Sequence, residues 1–330
     1  MAEAAAAATM VTDVARRALD LWDLAGSTLE LVGVSENTTF RVETPEGETV
    51  VLRVHRLGYH DAEELASEVV WTRALNQVGL SAPAARLSRT GRSHETVDDP
   101  VSGETRLVGI AEWVEGETVA DLLGADASEA DLVPRFAQLG RIAAAIHNQA
   151  CAWTPPAGFR RHALDANGLM GEEPWWGPFW ALPDLTATER ARMLDLRRTL
   201  HRYLLDWREP ETYSLIHADL HTANLVESGD SLHVIDFDDC GFGLHPFELA
   251  VALVQYAEHR AYDALEHALA TGYRSVRPLS DEALGQVRTL ILVRLLALVG
   301  WVQARPELEH HASLRALIDC ALRCADKLGL

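Results

Sequence analysis

Between Thr28 and Arg56 the chain passes through three runs rich in β-branched and large apolar residues, "TLELVGV", "TTFRVET" and "TVVLRVHR", with a "PEGE" turn at Pro45 to Glu48. Consecutive β-rich runs joined by Pro- and Gly-containing turns predict an antiparallel meander. The next segment, "DAEELASEVVWTRALNQVGL" (Asp61 to Leu80), carries Leu65, Val69 and Thr72 at helical spacing and stops near Gly79, so one helix is expected there. "AARLSRT" and "RLVGIAEWV" read as further strands, separated by a polar stretch that includes Asp98, Asp99 and Gly103. From Glu112 the texture changes. Thr118 with Asp121, and Ser128 with Asp131, have capping-box spacing, the second ahead of a helix bearing Leu132, Phe136, Leu139, Ala143 and Ile146. Beyond Ala120 a helical chain is expected nearly everywhere except around residues 215–239. The expected fold class is α+β and bilobal: a small N-terminal antiparallel sheet lobe with one helix, then a larger, mostly helical C-terminal lobe. The expected divisions are an N-terminal helical segment at 1–27, the sheet lobe at 28–115 and the helical lobe at 116–330.

Composition narrows the function. The 29 Lys and Arg against 49 Asp and Glu give a net charge of −20, with no basic cluster to track a phosphate backbone, so no nucleic-acid partner is expected. The acidity reads as a solvated surface that could also favour a cationic substrate. The most apolar segment, "LILVRLLALVGWV" (Leu290 to Val302), is interrupted by Arg294 and falls short of the roughly 20 residues a membrane span requires. It reads as a core helix with Arg294 paired inside or snorkelling to an edge, and no membrane partner is expected. The alanine tract at the N-terminus has no basic region before it, and Ala15, Ala18, Leu19 and Trp22 recur at helical spacing, which predicts an amphipathic helix rather than a secretory signal. Cys151, Cys240, Cys320 and Cys324 form no CxxC motif, so a reducing, cytoplasmic location is expected.

The chemistry concentrates in "LIHADLHTANL" (Leu215 to Leu225) and "LHVIDFDD" (Leu232 to Asp239). Two apolar-rich runs flank Ser228, Gly229 and Asp230 between them, a hairpin signal that would return Asp236 to the neighbourhood of Asn224. One amide oxygen and one carboxylate are hard ligands of the sparse kind Mg2+ prefers, its other positions left for water and phosphate. Asp219, five residues before Asn224, would lie on the loop entering the hairpin. Phosphoryl transfer to a hydroxyl requires a carboxylate to orient the acceptor and take its proton, which suits Asp219. A second reading takes His217, Asp219, His221 and Asp236 as zinc or iron ligands of a metallohydrolase, although it leaves Asn224 without a role.

The run from His217 to Asn224, H-A-D-L-H-T-A-N, followed by I-D-F-D at Ile235 to Asp238, resembles the catalytic and metal-binding segments of the aminoglycoside phosphotransferase and choline kinase family, relatives of the protein kinases. "SENTTFRVETPEGETVVLRVHR", "EWVEGE", "LMGEEPWWGPFW" and "IDFDDCGFG" resemble more closely a bacterial phosphotransferase branch near type II homoserine kinases and a stress-response Ser/Thr kinase. The resemblance implies a protein-kinase-like fold. The implied function is an ATP- or GTP-dependent, Mg2+-requiring phosphotransferase that moves the γ-phosphate to a hydroxyl of a small molecule such as an aminoglycoside, amino alcohol, amino acid, sugar or nucleoside. It implies Asp219 as catalytic base and Asn224 and Asp236 as magnesium ligands. Arg53 stands where the phosphate-binding lysine is usual, with Glu68 as its helix partner. Arginine keeps the charge but presents a planar fork rather than a point charge. Gly33 is the one glycine of the loop that would cover the phosphates, with Ser35, Asn37 and Thr38 as donors, and the backbone of Glu112 and Val114 would meet the purine.

His217 reads as a residue that orders the loop by hydrogen bonding rather than one with a chemical role, and Asp238, where protein kinases have the glycine of D-F-G, departs from the family pattern as a carboxylate added beside the metal. Glu248 stands where an aspartate usually braces the catalytic loop. Trp175 and Trp176 beside Glu172 read either as packing of a loop or as a wall for an amine or sugar. A glycine-poor phosphate loop and Arg53 also fit a nucleotide-binding pseudokinase. A Ser/Thr protein kinase is disfavoured because only "CGFGLHP" (Cys240 to Pro246) separates Asp239 from the next helix, where protein kinases carry an activation segment.

Overall fold

The computed structural model describes residues 2–99, 103–124, 127–207, 210–229, 231–306, 308 and 312–330. They divide into two compact units, one of residues 1–116, 155–160 and 228–238, the other of 117–154, 161–227 and 239–330.

The first unit opens with helix α1 (Ala2–Leu19) and is built on a sheet of β1 (Thr28–Val34), β2 (Thr38–Glu43), β3 (Thr49–Val54), β4 (Ala85–Arg86), β5 (His94–Asp98) and β6 (Thr105–Glu112). Strand order is β1-β2-β3-β6-β4, with β5 also on β6, and all pairs are antiparallel, as the meander pattern predicts. Alternation sets the inner face: Val50, Leu52 and Val54 of β3 and Phe40 and Val42 of β2 are buried together with Val14, Ala15, Ala18, Leu19 and Trp22. The amphipathic repeat of α1 therefore completes the core of this sheet. The Trp22 indole N–H donates to the Arg86 carbonyl at 2.8 Å, which satisfies its one polar atom within that core.

Helix α2 (Ala62–Gln77) starts at a capping box in which Asp61 accepts from the Glu63 and Glu64 amides and Glu64 returns a carboxylate to the Asp61 amide. Its buried face includes Leu65, Trp71, Thr72 and Leu75, with Val69 half-buried.

The second unit contains β7 (Glu117–Thr118), α3 (Val119–Leu123), α4 (Glu129–Ala152), β8 (Ala163–Leu164), α5 (Ala166–Met170), α6 (Ala187–Leu205), β9 (Tyr213–Ile216) and β10 (Leu225–Ser228). The next strand, β11 (Ser231–Val234), belongs to the first unit. After it come β12 (Gly241–Leu244), α7 (His245–Leu253), α8 (Tyr262–Arg274), α9 (Asp281–Gln303) and α10 (Leu314–Leu328). Both arms of the expected hairpin are strands; Asp230 lies outside the described residues. Strand β12 runs antiparallel to β9, with Gly241 opposite Ile216, and parallel to β8. Helix α7 then starts directly, with Pro246 in its first turn.

Helix α9 is long and apolar enough to cross a membrane by length and composition, yet two thirds of its most apolar window, 67%, is buried inside the fold. One expectation fails. Residues 153–186 carry only the short β8 and the single-turn α5, where helix is expected nearly everywhere beyond Ala120, because Pro155, Pro156, Pro174, Pro178 and Pro183 remove amide donors and clash with helical turns.

Candidate active site

In the second unit the loop between β9 and β10 carries His217, Asp219, His221 and Asn224. Ala218 is held at φ 67°, a left-handed conformation costly for a residue with a Cβ. The cause is close at hand: the fully buried carboxylate of Glu248 accepts from the His217 amide at 2.6 Å and the Ala218 amide at 3.0 Å. The glutamate's longer arm thus supplies the brace that an aspartate would. His217 is enclosed, and its Nδ1 accepts from the Asp219 amide at 3.2 Å, so it orders the loop.

Each oxygen of Asp219 is held. Oδ1 accepts from Arg294 Nη2 at 2.6 Å, and Oδ2 accepts from Asn224 Nδ2 at 2.8 Å and lies 3.2 Å from His221 Nε2. Burial pushes the Asp219 carboxyl up, but His221, Arg294 and His217 outweigh it and hold it well below the usual carboxylate range. Asn224 Nδ2 also donates to the Asp219 carbonyl at 2.9 Å. With the amide nitrogen turned to Asp219, Oδ1 is the Asn224 atom left to offer a cation, which is the hard donor the sequence reading asks for.

Behind this loop stands a buried polar network. His147 is fully enclosed, stacks on His245 at 4.0 Å, contacts the Tyr273 hydroxyl at 2.9 Å and lies 3.7 Å from Glu248. Burial, with the charge of Arg277, drives His147 down to about 3, and burial drives His245 down as well. In the first unit burial likewise lowers His55, and it lowers His94 to about 4. A histidine depressed on folding stabilises above its unfolded value near 6.5, and that stability is lost as pH falls toward the folded value. Glu248, raised by burial, has the opposite sign: its contribution is lost as pH rises through its folded value. Four histidines outweigh one glutamate, so urea stability should fall between pH 7 and 5, with about 2 kcal/mol from His147 alone. His147→Gln should flatten that slope, and an unchanged slope would remove His147 from the explanation.

In the first unit Arg53 Nη2 lies 3.0 Å from Asp236 Oδ1 and its Nη1 lies 3.9 Å from Glu68. Glu64, one turn earlier on α2, instead faces His60 at 3.3 Å. Asp236 sits at φ 64°. Asp238 is 4% exposed, with His55 3.7 Å and His60 3.9 Å from its carboxylate oxygens, and the Asp238 carbonyl is met by His60 Nε2 at 2.8 Å. Asp238 is thus walled in by histidines that the sequence does not connect to it.

Ser35, Asn37 and Thr38 lie at the β1–β2 turn, where the Ser35 amide donates to the Asn37 carbonyl. The buried Asn37 spends its Oδ1 on the Arg56 amide at 3.2 Å. Glu112 donates its amide to the Ala84 carbonyl, and Val114 follows two residues on, beyond the end of β6.

Trp176 is 3% exposed with the Arg294 guanidinium 4.7 Å from its ring centroid, and Trp175 stacks on His162 at 3.9 Å. Trp176 is thus packed inside, Trp175 is half-buried, and Glu172 is exposed. Arg294 is the site residue that sequence reasoning left without a role. Its signal was an arginine inside an apolar helix.

The sequence profile of the phosphotransferase enzyme family matches residues 28–279. The chain belongs to that family. No curated protein matches this phosphotransferase. Among solved structures it is similar to the microcompartment-associated aminopropanol kinase, with 31% identity over 95% of each chain and a TM-score of 0.81. It is also similar to the amicoumacin kinase hAmiN in complex with AMP-PNP, Ca2+ and Ami, at 20% identity over 97% of this chain and 93% of that one, TM-score 0.77. The choline kinase from Cryptosporidium parvum Iowa II shares 14% identity over 96% of each chain, TM-score 0.64. The last two share the fold, an α+β arrangement of N-terminal antiparallel sheet and helical C-terminal part. The phosphotransferase is thus a small-molecule kinase acting on an alcohol group. The metallohydrolase reading falls with this membership. Among the described residues no group of three His, Cys, Asp or Glu side chains is arranged to hold a metal.

Proposed function

We propose that this phosphotransferase moves the γ-phosphate of ATP or GTP to the hydroxyl of a small amino alcohol, with Asp219 orienting that hydroxyl and accepting its proton. The observation that carries the reading is Asp219 itself: a carboxylate fixed at both oxygens, on a loop braced by Glu248, in a chain 31% identical to an aminopropanol kinase. The low pKa of Asp219 keeps it ionised at any working pH but makes it a weak base. Its main contribution is therefore placement of the acceptor oxygen in line, with the proton passing late, once phosphorus has begun to bond to that oxygen.

Asn224 and Asp236 are the proposed Mg2+ ligands, and the ion would supply charge neutralisation on the nucleotide phosphates. Arg53, tied to Glu68 and Asp236, would offer the phosphates a fork rather than a point charge. Ser35, Thr38 and the backbone of Glu112 and Val114 remain the proposed nucleotide contacts. A small acceptor fits the short course from Asp239 through β12 to α7, which leaves no platform for a peptide. The divisions at 1–27, 28–115 and 116–330 and a cytoplasmic site of action, where nucleotide is abundant and the four cysteines stay free, complete the proposal.

The test is phosphoryl transfer from MgATP or MgGTP to a panel of 1-aminopropan-2-ol, ethanolamine, choline, homoserine and kanamycin. Turnover of an amino alcohol is expected; turnover confined to homoserine or kanamycin would overturn the acceptor class. Asp236→Asn is expected to raise the Mg2+ concentration for half-maximal rate at least about 10-fold. An unchanged Mg2+ titration would remove Asp236 from the ligand set.

A further inference from the structure

Arg294 stands in the middle of α9, buried, with its Nη2 on Asp219 Oδ1 at 2.6 Å and its guanidinium stacked on Trp176. Trp176 in turn is fixed onto the same helix. A Cβ on Gly300 would collide with the Gly177 carbonyl and lie 3.2 Å from the Trp176 carbonyl, so the aromatic loop lies directly on the α9 backbone, with no room between them for a side chain. The Asn224 and His221 contacts act on the other oxygen of Asp219 and come from the catalytic loop itself. Arg294 is the contact that ties the carboxylate to the helical core. A buried ion pair is a weak source of stability, because desolvation offsets most of its attraction, so the Arg294–Asp219 pair is better explained by a geometric task than by stabilisation.

We propose that Arg294, clamped beneath Trp176, is a positioning residue for phosphoryl transfer. It holds Asp219 in one rotamer so that the acceptor hydroxyl meets an oxygen at a fixed place. The segment "PWWGPFW" (Pro174 to Trp180) is then the outer half of this clamp rather than a substrate wall. The inference rests on the reading of Asp219 as the acceptor-orienting group.

The test measures kcat and the KM for MgATP in Arg294→Met, Arg294→Lys, Asp219→Asn and the double variant Asp219→Asn/Arg294→Met. The phosphoryl acceptor is 1-aminopropan-2-ol, or water if that alcohol is not turned over. Arg294→Met should lower kcat about 100-fold with KM for MgATP within about 3-fold of the parent, the pattern of a change that costs the chemical step and spares nucleotide binding. Because Arg294 acts through Asp219, the double variant should be no slower than Asp219→Asn by more than about 3-fold. Arg294→Lys should recover about 10-fold of the loss, since lysine keeps the charge but not the planar fork. If Met at 294 prevents folding, the lysine variant carries the test alone. A kcat about 10-fold below the parent, in a protein that melts within a few degrees of it, supports the proposal, and parental kcat overturns it. Losses that multiply in the double variant, or a parental rate in Arg294→Met beside an inactive Asp219→Asn, sink the positioning role and leave the Asp219 reading standing. An active Asp219→Asn sinks that reading itself.

Discussion

Replacing Asp219 with asparagine is expected to slow phosphoryl transfer about 100-fold or more while nucleotide binding persists. The amide is nearly isosteric, so the loop should keep its shape, but one carboxylate oxygen becomes an N–H donor. Whichever way the amide turns, that donor faces either Arg294 Nη2 or Asn224 Nδ2, both of which donate to the native carboxylate at 2.6 and 2.8 Å. The acceptor hydroxyl then loses both its fixed oxygen and a place for its proton. Initial rates at saturating MgATP, with a thermal-shift titration of nucleotide beside them, separate the two effects. A parental rate in the variant would remove Asp219 from the chemistry.

Glu248→Ala should give the largest loss of stability of any single change in the site. The native carboxylate is fully buried and serves two backbone amides, at 2.6 and 3.0 Å. Alanine leaves both N–H groups without their acceptor and opens a cavity beside His147. Two hydrogen bonds to a charged group are worth about 3 kcal/mol or more together. At roughly 2–4 °C of melting temperature per kcal/mol in a chain of this size, the midpoint should drop by roughly 6–12 °C. The left-handed Ala218 should relax once its anchor is gone, so phosphoryl transfer should fall even well below the melting transition. Glu248→Asp is the informative control, because the shorter arm keeps the charge but should reach only one of the two amides. Scanning calorimetry and rates at 20 °C check both outcomes; a melting point within 2 °C of the parent in Glu248→Ala would remove the brace.

Much of this was legible in the chain. The run "TLELVGV" is β1 residue for residue, and the β-branched density of the first 115 residues is enough to specify its sheet. Asp219 and Asn224 could be placed on one short loop, where local spacing constrains distance, although their direct contact was not foreseen. Arg294 could not, since its contact with Asp219 spans 75 residues and an arginine in an apolar helix announces burial without naming its partner. The histidines around Asp238 were opaque for the same reason: His55 and His60 come from the stretch between β3 and α2, and no periodicity links them to Asp238. The expectation of helix nearly everywhere beyond Ala120 was too broad at residues 153–186, where five prolines remove helical hydrogen bonds.

Every residue of α7 is buried, and Glu248 reaches the loop of His217 and Ala218 from that helix. The amides of His217 and Ala218 are therefore hydrogen-bonded to a part of the protein that cannot open to solvent without disrupting its interior. Deuterium should enter those two positions as slowly as it enters the most protected helices. Heating should abolish turnover at the temperature where the whole second unit melts, not in an earlier, local event.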